Sequence, residues 1–243
     1  MSDWLEPVRQ ALAEASEPVT FFVRDDDAGW NDERLFALLD LHARHEVPLD
    51  LAVIPAALTV ELAQRLCKRL DDAPQLVGVH QHGYCHANHQ AEGRKCEFGA
   101  ARTYDEQRAD IERGQHRLRN LFERPLPPIF TPPWNRCTAT TARCLVELGL
   151  NVLSRDRTAE PLGEPGLHEL PIAIDWFAHS KGVRLTRAEL GARIAAELGA
   201  QPVGIMLHHA VMAGDERAGL DQLLHLLATH PAAHCRQMAA LTP

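Results

Sequence analysis

Four of the fourteen histidines fall within the eleven residues Val79 to His89, VHQHGYCHANH. His82 and His86 are four apart, and one helical turn begun at Gly83 would carry both imidazoles to one side. That is metal-ligand spacing. Divalent ions of the zinc type accept neutral imidazole, and a catalytic site needs a third protein ligand and an open position for water. The third ligand is expected from Asp25-Asp26-Asp27, three adjacent carboxylates that repel one another unless a cation or protons intervene. A divalent cation, zinc first among several, is thus the expected cofactor. Either feature alone is ordinary: HxxxH occurs on many helix surfaces, and acidic residues often cap helices. Their joint position, each at the end of an expected strand, gives them weight.

Those strands belong to a regular alternation. A helix is expected over 3–15, then strands at 19–24, 48–55 (PLDLAVIP) and 76–79, in PLPPIFTPPWNRC with a Pro-rich corner at its end, and in LNVLSRD, LHELPIAIDWF and VGIMLHH. Helices are expected between them over 31–46, 58–71, 104–123, 138–149 and 186–199, with a helical tail from Asp215. Gly149 has the place of a helix-ending glycine, and Asn31 and Asp32 that of helix caps. Residues 87–103 lack periodicity and are expected to form a long loop, of the kind that serves as a lid or binding loop. Repeated βα units at 243 residues imply one domain over 1–243, with the parallel strands closed or nearly closed into a barrel. In such barrels chemistry gathers at the C-terminal strand ends. Asp25 to Asp27, His80 to His86, Pro132 to Asn135, Asp175 to Trp176 and His208 to His209 all fall there.

Hydrophobic and charged fractions of 45% and 24% are those of an ordinary globular chain, so disorder is not expected. The formal charge of −8 argues against nucleic-acid or anionic-membrane partners, which call for a basic face. No apolar stretch is long enough to span a bilayer, and the acidic, amphipathic N-terminus has no signal-peptide core, so a cytoplasmic location is expected. The six cysteines show no CxxC spacing and are expected to be free; Cys85, between the two histidines, is the one to watch. The sequence gives no oligomeric state.

In order along the chain, the aspartate pair, HxxxH, the proline-aromatic corner, Asp175-Trp176 and Leu207-His208 resemble the polysaccharide deacetylase (NodB-homology) family of metal-dependent carbohydrate deacetylases. The resemblance implies a distorted (β/α)7 barrel of parallel strands surrounded by helices. It implies Asp27, His82 and His86 as metal ligands, Asp26 as general base and His208 as general acid. Pro133, Trp134, Asn135, Asp175 and Trp176 would face substrate, with the Trp134 N–H a donor to the oxyanion. The choice among Asp25, Asp26 and Asp27 stays open, because strand alternation often fails at a strand end. His80 and His89 are rival ligands and His209 a rival acid. One departure stands out: Thr131 occupies the place where the family carries an arginine that orients the base, so Arg24 or Arg136 must supply that charge or the role is unfilled.

The expected function is removal of an acetyl group from an N-acetylated sugar or sugar conjugate. The expected partner is a small-molecule or oligosaccharide amide. The alternatives are hydrolysis of another small amide such as a ureide, and a barrel that binds carbohydrate without turning it over.

Overall fold

The computed structural model describes residues 3–242. The chain runs through α1 (Glu6–Glu14), β1 (Val19–Ala28), α2 (Asp32–His45), β2 (Leu49–Val53), α3 (Val60–Asp72) and β3 (Val77–His82). A long loop leads to α4 (Tyr104–Phe122), β4 (Ile129–Thr131), a 3-10 turn at Pro133–Asn135, α5 (Ala139–Glu147) and β5 (Val152–Leu153). Then come β6 (His168–Glu169), β7 (Ile172–Asp175), a hairpin of β8 (His179–Ser180) and β9 (Val183–Arg184), and α6 (Arg187–Glu197). The chain ends with β10 (Val203–Leu207), a 3-10 turn at His209–Val211, α7 (Gly214–Thr229), β11 (Ala233–Cys235) and a 3-10 turn at Met238–Leu241.

The main sheet has the order β6-β5-β4-β3-β2-β1-β10-β7, with β11 added to β1, and all its pairs are parallel. The run LHELPIAIDWF, expected as one strand, serves two neighbours: β6 pairs with β5, and β7 pairs with β10. The changeover is at Ile172, whose N–H donates to Arg155 O at 2.8 Å and whose carbonyl accepts from Arg157 N at 2.9 Å. The ring therefore closes as a distorted (β/α)7 barrel of parallel strands surrounded by helices. β2 and β10 are buried at every position, as strands covered on both faces must be.

Alternation along β1 divides its residues between two cores. Phe22 joins Ile129, Val152, Leu170, Ile172, Met206 and Met238 inside the barrel, while Phe21 and Val23 pack outward against the helices. The tail departs from the expected continuous helix. It ends at Thr229, adds β11 beside Val19–Phe21, and turns Met238 into the barrel floor, where its N–H donates to the buried Asp50 carboxyl at 2.9 Å. Among the described residues no helix is long and apolar enough to cross a membrane. All six cysteines are free.

Candidate metal centre and active site

The acidic triplet splits three ways. Asp25 points outward, fully buried, and accepts from His209 N at 2.9 Å and from His209 Nδ1 at 2.6 Å. His209 Nε2 faces Trp30 O at 2.6 Å. A carbonyl can only accept, so both ring nitrogens carry protons and His209 is an imidazolium. Burial pushes its pKa down, but the Asp25 charge and hydrogen bond outweigh that and raise it to about 9. His209, the rival acid, is thus spent on holding the loop after β1. Asp26, next on the strand, points inward.

Asp27 should return to the outer face beside Asp25, but its φ is +70° and the β1–β2 register slips between Asp25 and Ala28. The left-handed residue turns its carboxylate to the barrel mouth. Its Oδ1 lies 3.3 Å from His82 Nε2 and 3.1 Å from His86 Nε2, and one ligand atom from each of the three residues falls within 4.8 Å of the others. The histidines meet without the expected helical turn. After β3 the chain bends through Gly83 (φ +52°) and His86 (φ +55°).

The donor set fits a divalent ion. His82 Nδ1–H donates to Thr131 O at 3.0 Å, which orients the ring with Nε2 toward Asp27, the nitrogen that would meet an ion. Burial raises the Asp27 carboxyl, yet hydrogen bonds from His82 and His86 hold it well below the usual carboxylate range. For His82 burial works downward and Asp27 prevails, so its pKa is raised. His80, the rival ligand, shares a 2.9 Å hydrogen bond with Thr131 Oγ1, and burial with the nearby Arg24 charge depresses its pKa to about 3. His89 is in the loop, its N–H bonded to Cys96 O at 3.0 Å.

Of the two candidate arginines, Arg24 is the one beside Asp26. Fully buried, it grips Asp26 with Nε to Oδ1 at 2.7 Å and Nη2 to Oδ2 at 2.9 Å. Its remaining donors reach Ser154 Oγ at 2.8 Å, Ser154 O at 3.0 Å and Asn135 Oδ1 at 2.7 Å. Burial raises the Asp26 carboxyl, but Arg24, His82 and His208 together bring it below its ordinary value. Arg136 instead donates to Lys95 O at 2.9 Å and takes no part.

The expected substrate residues divide. Pro133 is buried, its ring against Gly83. Trp134 (φ +57°) sets its ring 4.3 Å from the His86 ring, centroid to centroid, and Trp30, which the sequence reading passed over, stands 4.9 Å away and 41% exposed. Asn135 spends its side chain internally, accepting from Arg24 and donating to Met206 Sδ at 3.1 Å. Asp175 opens on a cleft of about 660 Å³ that His179 and Glu189 also line, and its carboxyl is raised by burial. Trp176 is a correction. One step along β7 from Asp175, it faces the helices, 1% exposed, donates Nε1–H to Glu216 at 2.8 Å and packs edge-on against Trp4. His208, at the end of β10, has its ring 6.2 Å from that of Phe177 and is among the groups that lower the Asp26 and Asp27 carboxyls.

The loop after β3 hides another residue missed in sequence. Glu97 is fully buried beneath it and accepts from the backbone of Tyr84, Cys85 and His86. Part of the 87–103 segment is thus a buttress and not a lid.

The fold agrees with solved structures of low identity. A Mycobacterium smegmatis protein assigned as a polysaccharide deacetylase superposes with a TM-score of 0.64 at 17% identity, over 94% of this chain and 91% of that one. A family 4 acetyl xylan esterase from Clostridium thermocellum, in complex with a cobalt ion, gives 0.59 at 12%, over 91% and 89%. A family 4 pseudoenzyme from Bacillus anthracis gives 0.59 at 13%, over 93% of this chain and 66% of its own. No curated protein matches the sequence. The polysaccharide deacetylase family model, however, matches residues 2–153, the stretch carrying the triplet, both histidines and the proline corner. With more than half of the chain inside that match, the protein belongs to the polysaccharide deacetylase family.

Proposed function

We propose that the protein is a metal-dependent hydrolase that removes the acetyl group from an N-acetylated sugar or sugar conjugate. One observation carries the reading: Asp27, His82 and His86 converge within 4.8 Å, beside an inward aspartate clamped by a buried arginine. Zinc is the proposed ion, and the two-nitrogen, one-oxygen set also suits its neighbours. When bound, a divalent cation supplies polarisation of the poorly electrophilic acetamide carbonyl and a more acidic water.

The rest is the work of the chain. Asp26, kept ionised by Arg24, takes a proton from the attacking water. His208 gives a proton to the departing nitrogen, so that an amine leaves and not an amide anion. The Trp134 N–H donates to the oxyanion. The rings of Trp134 and Trp30 beside His86 offer apolar faces to the sugar. The reading of a barrel that only binds drew its motive from the arginine absent at Thr131, and Arg24 meets that objection.

The test is acetate release from a panel of N-acetylhexosamine derivatives by metal-loaded protein, with and without chelator. Release that chelator abolishes is expected. No release from any member of the panel overturns the proposal.

A further inference from the structure

Glu97 lies eleven residues beyond the second histidine, in a segment without sequence periodicity, yet it is among the most enclosed carboxyls in the chain, at 0% exposure. Its Oε1 accepts from Cys85 N at 2.8 Å and Cys85 Sγ at 3.2 Å, and its Oε2 from His86 N at 3.2 Å and Tyr84 N at 3.3 Å. Among the described residues no lysine, arginine or histidine forms an ion pair with it. Three successive backbone N–H groups curled round one carboxyl make a nest, the arrangement by which backbone alone can hold an anion.

That nest is the stretch that must carry His86 back to Asp27. The histidine sits at φ +55°, a conformation most residues with a side chain avoid, so something outside the loop must hold it there. Gly83 opens the way: a Cβ on it would stand 2.3 Å from Glu97 Oε2 and 2.6 Å from the Pro133 ring. Glu97 is in turn fixed from behind. Phe98 next to it is fully buried in the cluster with Ile111, Phe130 and Cys144, and it bridges to Cys137. Thr141 Oγ1 donates to Phe98 O at 3.2 Å, and Asn88 Oδ1 accepts from Cys96 N at 3.0 Å.

We propose that Glu97 is the positioning residue of the metal centre: its carboxyl, by accepting the N–H groups of Tyr84, Cys85 and His86, sets the loop in the one conformation that brings the His86 imidazole to the ion. The inference rests on the metal-centre reading above. Cys85 is turned by the same contacts so that its thiol faces Glu97, which leaves the ligand set as two imidazoles and one carboxylate.

The experiment is a competition titration of the full chain with cobalt(II), in wild type, Glu97→Gln, His86→Ala and the double variant, read by visible absorption. Glu97→Gln keeps the size of the side chain but places an amide donor against donors. The expected result is a tenfold to hundredfold weaker affinity for Glu97→Gln, the range found when groups that orient ligands are removed. In the His86→Ala background the same change should weaken binding less than about twofold, because Glu97 acts through His86. Equal weakening in both backgrounds, or wild-type affinity in Glu97→Gln, overturns the proposal. Should Glu97→Gln fail to fold, Glu97→Asp keeps the charge but falls one methylene short. It is then expected to weaken cobalt binding and change the visible spectrum, and an unchanged affinity and spectrum overturns the proposal. Wild type that binds no cobalt at all would instead remove the metal centre itself, a separate outcome.

Discussion

Arg24 and Asp26, two residues apart on one strand, face each other across parallel hydrogen bonds of 2.7 and 2.9 Å inside the barrel. Both are closed to solvent. The fork geometry of the guanidinium fixes the carboxylate plane as well as its charge.

Arg24→Gln removes the charge that holds the Asp26 carboxyl below its ordinary value, so that pKa rises. The acidic limb of the kcat/KM profile should then move to higher pH. Arg24→Lys, which keeps charge but loses the fork, should move it less. A profile in which the limb stays in place for Arg24→Gln would show that Arg24 does not tune the base.

Thr131→Arg restores the residue usual in the family, and it should harm this protein. Thr131 is fully buried and hydrogen-bonded to His80, and Arg24 already occupies the space beside Asp26. Overpacking alone costs about 1–3 kcal/mol, and a second guanidinium would be buried without a partner. A lower melting temperature and lower turnover are expected; a gain in either contradicts the replacement of one arginine by the other.

Loading with zinc should stabilise the fold by mass action, about 2.7 kcal/mol at a hundred times the dissociation constant. At this chain length that is roughly 5–10 °C in the melting temperature. Asp27→Asn should abolish the increment, and His86→Ala, which leaves Asp27 and His82 as ligands, should reduce it, with bound metal measured by emission spectroscopy falling in step. A melting temperature indifferent to metal in the wild type would refute the centre.

Asp50, under the barrel, has its pKa raised from 3.8 to about 7, by burial above all. The folded state then keeps a proton that the unfolded chain has lost, so stability falls as pH rises from about 4 to about 7. Asp50→Asn mimics the protonated carboxyl and can still accept from Met238 N. Its melting temperature should exceed that of the wild type at pH 8 and match it at pH 4, as followed by calorimetry.

His209 has a dependence of the same sign at higher pH. Its pKa is raised from 6.5 to about 9, so the contribution of its pair with Asp25 is complete below 6.5 and lost as pH passes through about 9. Asp25→Asn should cost about 3–5 kcal/mol at pH 7, as breaking a buried pair does, and should flatten the alkaline fall in denaturant stability. A wild-type curve level across that range would disprove the imidazolium.

The barrel was legible because strand ends and helix periods recur with little ambiguity, and the HxxxH spacing pointed to the two histidines that converge on Asp27. What eluded the sequence were backbone conformations. Alternation placed Asp25 with Asp27, and it held for Arg24, Asp25 and Asp26 until the left-handed turn at Asp27 broke it. The same alternation, applied to Asp175 and Trp176, would have sent the tryptophan to the helices at once. Arg24 could be named, beside Arg136, because the Thr131 departure called for a charge from elsewhere. Glu97 could not, since nothing in an aperiodic segment announces a carboxyl that will fold under a loop eleven residues earlier.

Where the barrel closes, a single residue hands the sheet from one neighbour to the next, through two hydrogen bonds at Ile172. Elsewhere staves are sewn by longer ladders, five partners deep between β1 and β10 and between β2 and β3. Breathing of the molecule is therefore concentrated along one line, and amide deuterium should enter at 155–157 and 172 long before it reaches β1. Because Ser154 borders that line and accepts from Arg24, the arginine that grips Asp26 is anchored beside the closure of the barrel.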